Sequence, residues 1–209
     1  ISPSQVRRLR DCRMLLLFDF QERIEGTLSR LKENGLKTAS VTKSGGLCVP
    51  ETYLAACRQV SDILSAEYPE SKSARQQKPE VIEKRLHDLR EELLAKVQQA
   101  GLSSAEVLTS NHQADFARWL GLEPVATFVG SDIETAAGVD HCIKKAKGRD
   151  VRFVIANKQE GTGIAEALAE RLGAKAVVFG NFPEATGRAS GFDELLRANV
   201  QALLEAAKQ

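Results

Sequence analysis

Four polar side chains stand in a row at Asn157, Lys158, Gln159 and Glu160. Amides, an ammonium and a carboxylate in one short loop could hold a small polar ligand; the same residues also serve ordinary turn chemistry. Asn181 and Glu184 supply a second polar pair further on. Gly161-Thr162-Gly163 opens a helix and could cradle a phosphate at its N-terminus, but it lacks both a Walker lysine and dinucleotide-loop spacing. The histidines are His87, His112 and His141, and the cysteines are Cys12, Cys48, Cys57 and Cys142. His141 and Cys142 are adjacent within a predicted helix, where neighbouring side chains diverge, so they cannot both face one ion. No CxxC pair exists, which argues against a zinc ribbon, and four cysteines allow three pairings that sequence cannot separate. Burial as small apolar residues is the competing reading for them. No nucleophile–base pair or carboxylate dyad occurs at suitable positions, which argues against an α/β enzyme or nucleotide-binding protein.

The polar loop is placed by the elements around it. Residues 151–156 read as a β-branched, aromatic strand. Thr162 is placed to cap a helix with Ile164, Leu168 and Leu172 on one face, Gly173 closes it, and a strand follows to Val178. Parallel neighbours need such a crossover. The loop therefore lies at the carboxyl end of a sheet strand, where open α/β folds bind ligands. The same rhythm predicts strands at 106–110 and 125–128 and helices at 113–120, 132–147 and 192–208. Together they make a doubly wound parallel sheet.

Upstream, Ser2-Pro3 starts a helix ending near Cys12. A strand at 14–18, a helix at 21–34 closed by Gly35, a strand at 37–42 and a helix from Pro50 to Tyr68 follow. The segment 71–99 is mostly polar, with one apolar stripe of Ile82, Leu86, Leu89, Leu93 and Val97 at helical spacing. Pro79 begins or kinks that helix. The expected fold is α/β: an N-terminal lobe at 1–69, one long linking helix at 70–100 and a C-terminal lobe at 101–209. The first lobe has only two or three strand candidates, so a preceding piece with one or two strands is expected upstream of Ile1.

The chain has 209 residues, 43% hydrophobic and 27% charged, with a formal net charge of +1. The balanced charge, with basic residues alternating with acidic ones, and an aromatic content of 5% give nothing for nucleic acid to bind. No apolar run reaches the length of a membrane span.

The local sequence resembles the substrate-binding proteins of metal ABC importers, those taking up zinc, manganese or iron. ISPSQVRRLRDCRMLLLFD resembles their helix-then-strand phrase xTPSDxxxLxxADLVxxN. VPETYLAACRQVSDILSAEYPE resembles the helix after their HxWLDP motif, with Pro50 as the shared proline. LTSNHQADFARWLGL resembles VTSHDAFGYFARRYGL, one residue shorter. FVIANKQEGTGIAEALAERLGAKAVVF resembles IFVEPQFSPKLAEALAEETGAKVVVLDP. The resemblance covers nearly the whole chain, in the right order. It implies an extracytoplasmic, periplasmic or cell-surface, solute-binding protein with no catalytic activity. It also implies a monomer that delivers a divalent ion such as zinc or manganese to a membrane ABC permease.

The resemblance also implies a divergent metal site. Such proteins hold their ion with imidazoles and carboxylates. Here the histidine of HxWLDP falls on Gly45, that of TSHD on Asn111, the glutamate of VEPQ on Asn157, and the last aspartate on Gly180 or Asn181. The segment bearing a further histidine would lie before Ile1. His112, next to Asn111, follows a strand and starts a helix, so it is the remaining ligand candidate; a helix cap or a solvated rim residue is the competing role. Cys48 could face it from the other lobe, and a thiolate with an imidazole suits zinc or copper(I). A packed or disulfide-bonded Cys48 is the alternative. Asn111, Asn157, Glu160 and Asn181 are expected to line the ligand cleft. A homologue that has turned to a non-metal small ligand or a protein partner is the alternative function.

Overall fold

The computed structural model describes residues 3–22, 32–33, 35–71, 78–130, 134–183 and 191–208. They fall into two compact units. The first comprises residues 1–45 and 51–83, and the second residues 46–50 and 84–209. Among the described residues no helix is long and apolar enough to cross a membrane.

In the first unit, α1 (Pro3–Arg10) leads into β1 (Met14–Phe18), α2 (Asp19–Glu22), β2 (Lys37–Val41) and α3 (Pro50–Glu67). β1 and β2 pair in parallel, Met14 opposite Lys37 through Phe18 opposite Val41. Ser2 and most of the helix expected at 21–34 lie outside the described residues. Gln59 closes the end of β2 from α3, accepting from the Thr42 N–H and donating to its carbonyl, both at 2.9 Å. Lys37 also pairs with Glu67.

Helix α4 (Lys78–Gln99) takes Pro79 into its first turn rather than kinking there, because a proline in the first turn has no N–H to waste. Leu86, Leu89, Leu93 and Val97 are buried and Ile82 half-buried, as the stripe requires. The polar side of α4 is tied to the last helix, α8 (Phe192–Lys208), within the second unit. Arg197 pairs with Glu92 at 2.8 Å and Arg85 with Asp193 at 3.1 Å.

The second unit holds β3 (Glu106–Ser110), α5 (Ala114–Trp119), β4 (Glu123–Phe128), α6 (Ala136–Ala146), β5 (Val151–Asn157), α7 (Gly163–Leu172), β6 (Lys175–Phe179) and α8. Its four strands are all parallel, in the order β4-β3-β5-β6. β5, in the middle, is apolar and almost wholly buried. One core groups Leu108, Val154 and Ala156 of the strands with Cys142 and Ala146 of α6 and Ala165, Leu168 and Ala169 of α7. Elsewhere Phe116 meets Phe179 edge-on at 5.7 Å.

Three local expectations shift. β4 starts at Glu123 and includes Pro124, tolerated because β4 is an edge strand whose register slips at that point. The helix expected from Asp132 starts at Ala136, capped by Thr135, whose hydroxyl accepts the Gly138 N–H at 3.1 Å. Thr162 stands at the cap position of α7 but makes no side-chain cap bond. Gly173 closes that helix in the left-handed conformation, φ 67°.

Candidate functional site at the sheet switch point

After β3 the chain passes to β4 on one side; after β5 it passes to β6 on the other. The crevice between the carboxyl ends of β3 and β5 is thus the topological switch point of the sheet, the place where open α/β folds bind ligands. Two short 3₁₀ turns lie there, Asn111–Gln113 after β3 and Lys158–Glu160 after β5.

These turns bring His112 and Glu160 together. His112 Nδ1 lies 2.5 Å from Glu160 Oε1. The other carboxylate oxygen accepts from the buried Ser110 hydroxyl at 2.6 Å. The buried Asn157 amide helps keep the same carboxylate charged. Burial alone would raise the Glu160 carboxyl; the Ser110 hydroxyl, the Asn157 amide and the His112 imidazole outweigh it and hold it below its ordinary value. The imidazole remains 63% exposed, against 21% for the Glu160 side chain, so the pair has a solvent-facing side open to a cation. Behind Glu160 stands buried Gly130, where a Cβ would lie only 2.7 Å from the Glu160 Cβ.

Deeper in, the chemistry is neutral. Gln113, fully buried, donates through Nε2 to Asn181 Oδ1 at 2.8 Å and reaches Asn157 Oδ1 at 3.5 Å. Gln159 Oε1 accepts the Asn181 N–H at 3.0 Å. Asn199 of α8 brackets Gly180, accepting its N–H at 2.8 Å and donating to its carbonyl at 3.0 Å. An aspartate at position 180 would press on Leu195, whose Cδ1 would lie 3.1 Å from the new Cβ.

Cys48 belongs to this unit. Its thiol donates to the Gly180 carbonyl at 3.3 Å, with Asn181 Oδ1 at 3.6 Å. Burial pushes the thiol up to about 12, so it is a protonated donor rather than a thiolate. Cys142 donates to Thr127 O and Cys12 to Arg8 O, both at 3.4 Å; Cys57 is half-buried. Asn111 is exposed on its turn, His87 is 70% exposed on α4, and Glu184 lies outside the described residues. Among the described residues, no three histidine, cysteine, aspartate or glutamate side chains gather as a metal cluster. Ser110, Gln113, Gly130 and Asn199 are the site residues that sequence reasoning missed. A serine two residues before His112 and a glutamine directly after it were the only visible signal for the first two.

A family model described as zinc-uptake complex component A, periplasmic, matches residues 49–206. Among solved structures, the chain is similar to a Cd-bound periplasmic metal binding protein from Candidatus Liberibacter asiaticus. The TM-score is 0.79 at 11% identity, over 99% of this chain and 85% of that one. The Mn-bound form of a periplasmic metal binding protein from the same organism gives a TM-score of 0.78 at 11% identity, with the same coverage. A crystal structure of ZnuA gives 0.75 at 19% identity, over 99% of this chain and 84% of that one. At these identities the structures establish the shared fold. No curated protein matches the chain in sequence. The family match spans most of the chain: this protein belongs to the periplasmic zinc-uptake component A family, the extracytoplasmic metal-binding components of ABC importers.

Proposed function

We propose that this chain captures a divalent metal ion outside the cytoplasm for a membrane ABC permease, and that its second unit meets the ion with His112 and Glu160. The observation that carries the reading is the pairing of one imidazole with one carboxylate at the switch point of the sheet. Both are donor types that zinc and manganese accept. The ion would replace the direct His112–Glu160 contact, binding on the exposed side of the pair. Ser110 would keep Glu160 turned outward.

Affinity from this unit alone is modest. A closed zinc site needs about four donors, or three and a water. The resemblance puts the family's ligand positions on Gly45, Asn111, Asn157 and Gly180 or Asn181 here, and amides are poor zinc ligands. Cys48 is engaged with Gly180 and adds no thiolate. The protein is a binder rather than a catalyst, as befits a transporter-associated family.

Calorimetric titration with zinc and with manganese tests the assignment. His112→Ala and Glu160→Gln should each weaken zinc binding by at least about tenfold, and Cys48→Ser should leave it unchanged. Tight binding that survives both His112→Ala and Glu160→Gln would sink the assignment.

A further inference from the structure

The amide of Gln113 is fully buried, and one end of it is left over: Oε1 has no hydrogen-bond partner. A buried orphan acceptor costs free energy that an apolar side chain of the same length would avoid. What sets the glutamine apart is its other end. Nε2 donates to Asn181 Oδ1 at 2.8 Å and to Asn157 Oδ1 at 3.5 Å. Asn157 is itself buried. The three amides arrive from separate strand ends: Gln113 from the turn after β3, Asn157 from the last position of β5 and Asn181 from the turn after β6.

Two amide oxygens aimed at one point beneath the surface make the beginning of a cation site. Carbonyl oxygens are ligands for hard ions such as manganese, calcium and magnesium. Here an NH₂ group holds that point. It carries the positive end of the amide dipole and two hydrogens, one for each oxygen. The Cys48 thiol approaches the same Asn181 oxygen at 3.6 Å. Asn181 Oδ1 thus takes donors from two sides and has little left for an ion.

We propose that Gln113 is an internal stand-in for a cation: its NH₂ group fills the point where the Asn157 and Asn181 oxygens converge and closes that position to the cargo. The ion is then confined to the exposed His112–Glu160 pair, a consequence that rests on reading that pair as the cation site. The filling of the deeper point does not depend on that reading. The residue at position 113 becomes a determinant of where an ion can bind. A carboxylate there would face two oxygens with no hydrogen between them, and a bound cation would relieve the repulsion.

The test uses the whole chain carrying His112→Ala and Glu160→Gln, so that the outer pair is gone, with manganese alone as the probe. Calorimetry at pH 8 compares this parent with the same protein carrying Gln113→Glu as well. The added substitution should create binding of a manganese ion that the parent lacks, and manganese should raise its melting temperature. A Gln113→Glu protein that folds and gains no manganese would overturn the proposal. Should it fail to fold even with manganese present, Asn181→Asp decides in the same background. Alone it should gain no ion, because Gln113 still donates to the new carboxylate. Together with Gln113→Ser, which withdraws the NH₂ group, it should bind manganese at least about tenfold more tightly than alone. Equal binding by the single and the double variant would overturn the proposal. If the wild type binds neither zinc nor manganese while these gains appear, the cargo reading falls and the role of Gln113 stands.

Discussion

Gly130→Ala asks whether Glu160 is seated as described. The added Cβ would stand 2.7 Å from the Glu160 Cβ, 3.2 Å from its carbonyl oxygen and 3.3 Å from its Cγ. Carbon atoms rest at about 3.5–4.0 Å, so the two backbones must separate by about 1 Å. Neither Cβ can rotate away, since each is fixed to its main chain. The same shift would stretch the 2.6 Å bond from Ser110 and the 2.5 Å contact with His112 beyond hydrogen-bond range. The Ser110 bond, buried and made to a charged group, is worth about 1.5–3 kcal/mol. The exposed His112 contact adds no more than about 1 kcal/mol. The expected loss is about 2–4 kcal/mol, a fall of about 4–16 °C in melting temperature. Thermal unfolding by circular dichroism reads the first effect, and zinc calorimetry should show weakened binding. Ser110→Ala, which leaves the backbone alone, should give a smaller fall. A Gly130→Ala protein that melts within about 1 °C of the wild type and binds zinc equally well would refute the close seating of Glu160 on Gly130.

Leu89→Asp places a carboxylate at a position 2% exposed; it should cost at least about 3 kcal/mol, and an unchanged melting curve would show the α4 stripe to be unburied. The Glu92 carboxyl is held at about 2, chiefly by its hydrogen bond with Arg197 and then by that with Lys96. A depressed carboxyl contributes stability that is present above its unfolded value, about 4.3, and is lost as pH falls toward 2. Melting temperatures of wild type and Glu92→Gln should therefore converge between about pH 4 and pH 2; parallel curves across that window would contradict the pairing. Burial holds the Cys48 thiol at about 12, and burial together with Glu134 holds Cys142 at about 11, so both should resist iodoacetamide at pH 8 in the folded protein while exposed Cys12 is alkylated. Rapid labelling of Cys48, read by peptide mass spectrometry, would show that its clasp on Gly180 is open.

The second unit was legible because its signals are local. The apolar strand 151–157, the one-faced helix after it and Gly173 at its end each act over a few residues, and the observed elements follow them closely. The α4 stripe was legible for the same reason. Expectation failed where a neighbour decided the outcome. Pro124 argues against a strand until β4 is known to be an edge, and the helix expected from Asp132 starts only at Ala136, after its Thr135 cap. Within the site, His112, Asn157, Glu160 and Asn181 could be named because their loops follow strands. Their partners could not, because a hydrogen bond between Ser110 and Glu160 spans fifty positions of sequence and leaves no periodicity. Cys48 shows the same limit. Its neighbours in sequence placed it in the first lobe; its bond to Gly180 places it in the second unit.

That bond also has a bearing on how the chain is made. Residues 46–50 are synthesised early, yet the carbonyl that the Cys48 thiol grips lies 132 positions later. On the ribosome this short segment cannot make that bond until β6 and the turn after it have emerged. Contacts of such long range slow folding, and they make the second unit a discontinuous piece of chain. A fragment cut to begin at Lys84 would leave Gly180 and Asn181 without their thiol donor. Separate expression of the two units should therefore yield a C-terminal fragment that regains its full stability only when a peptide bearing residues 46–50 is added back.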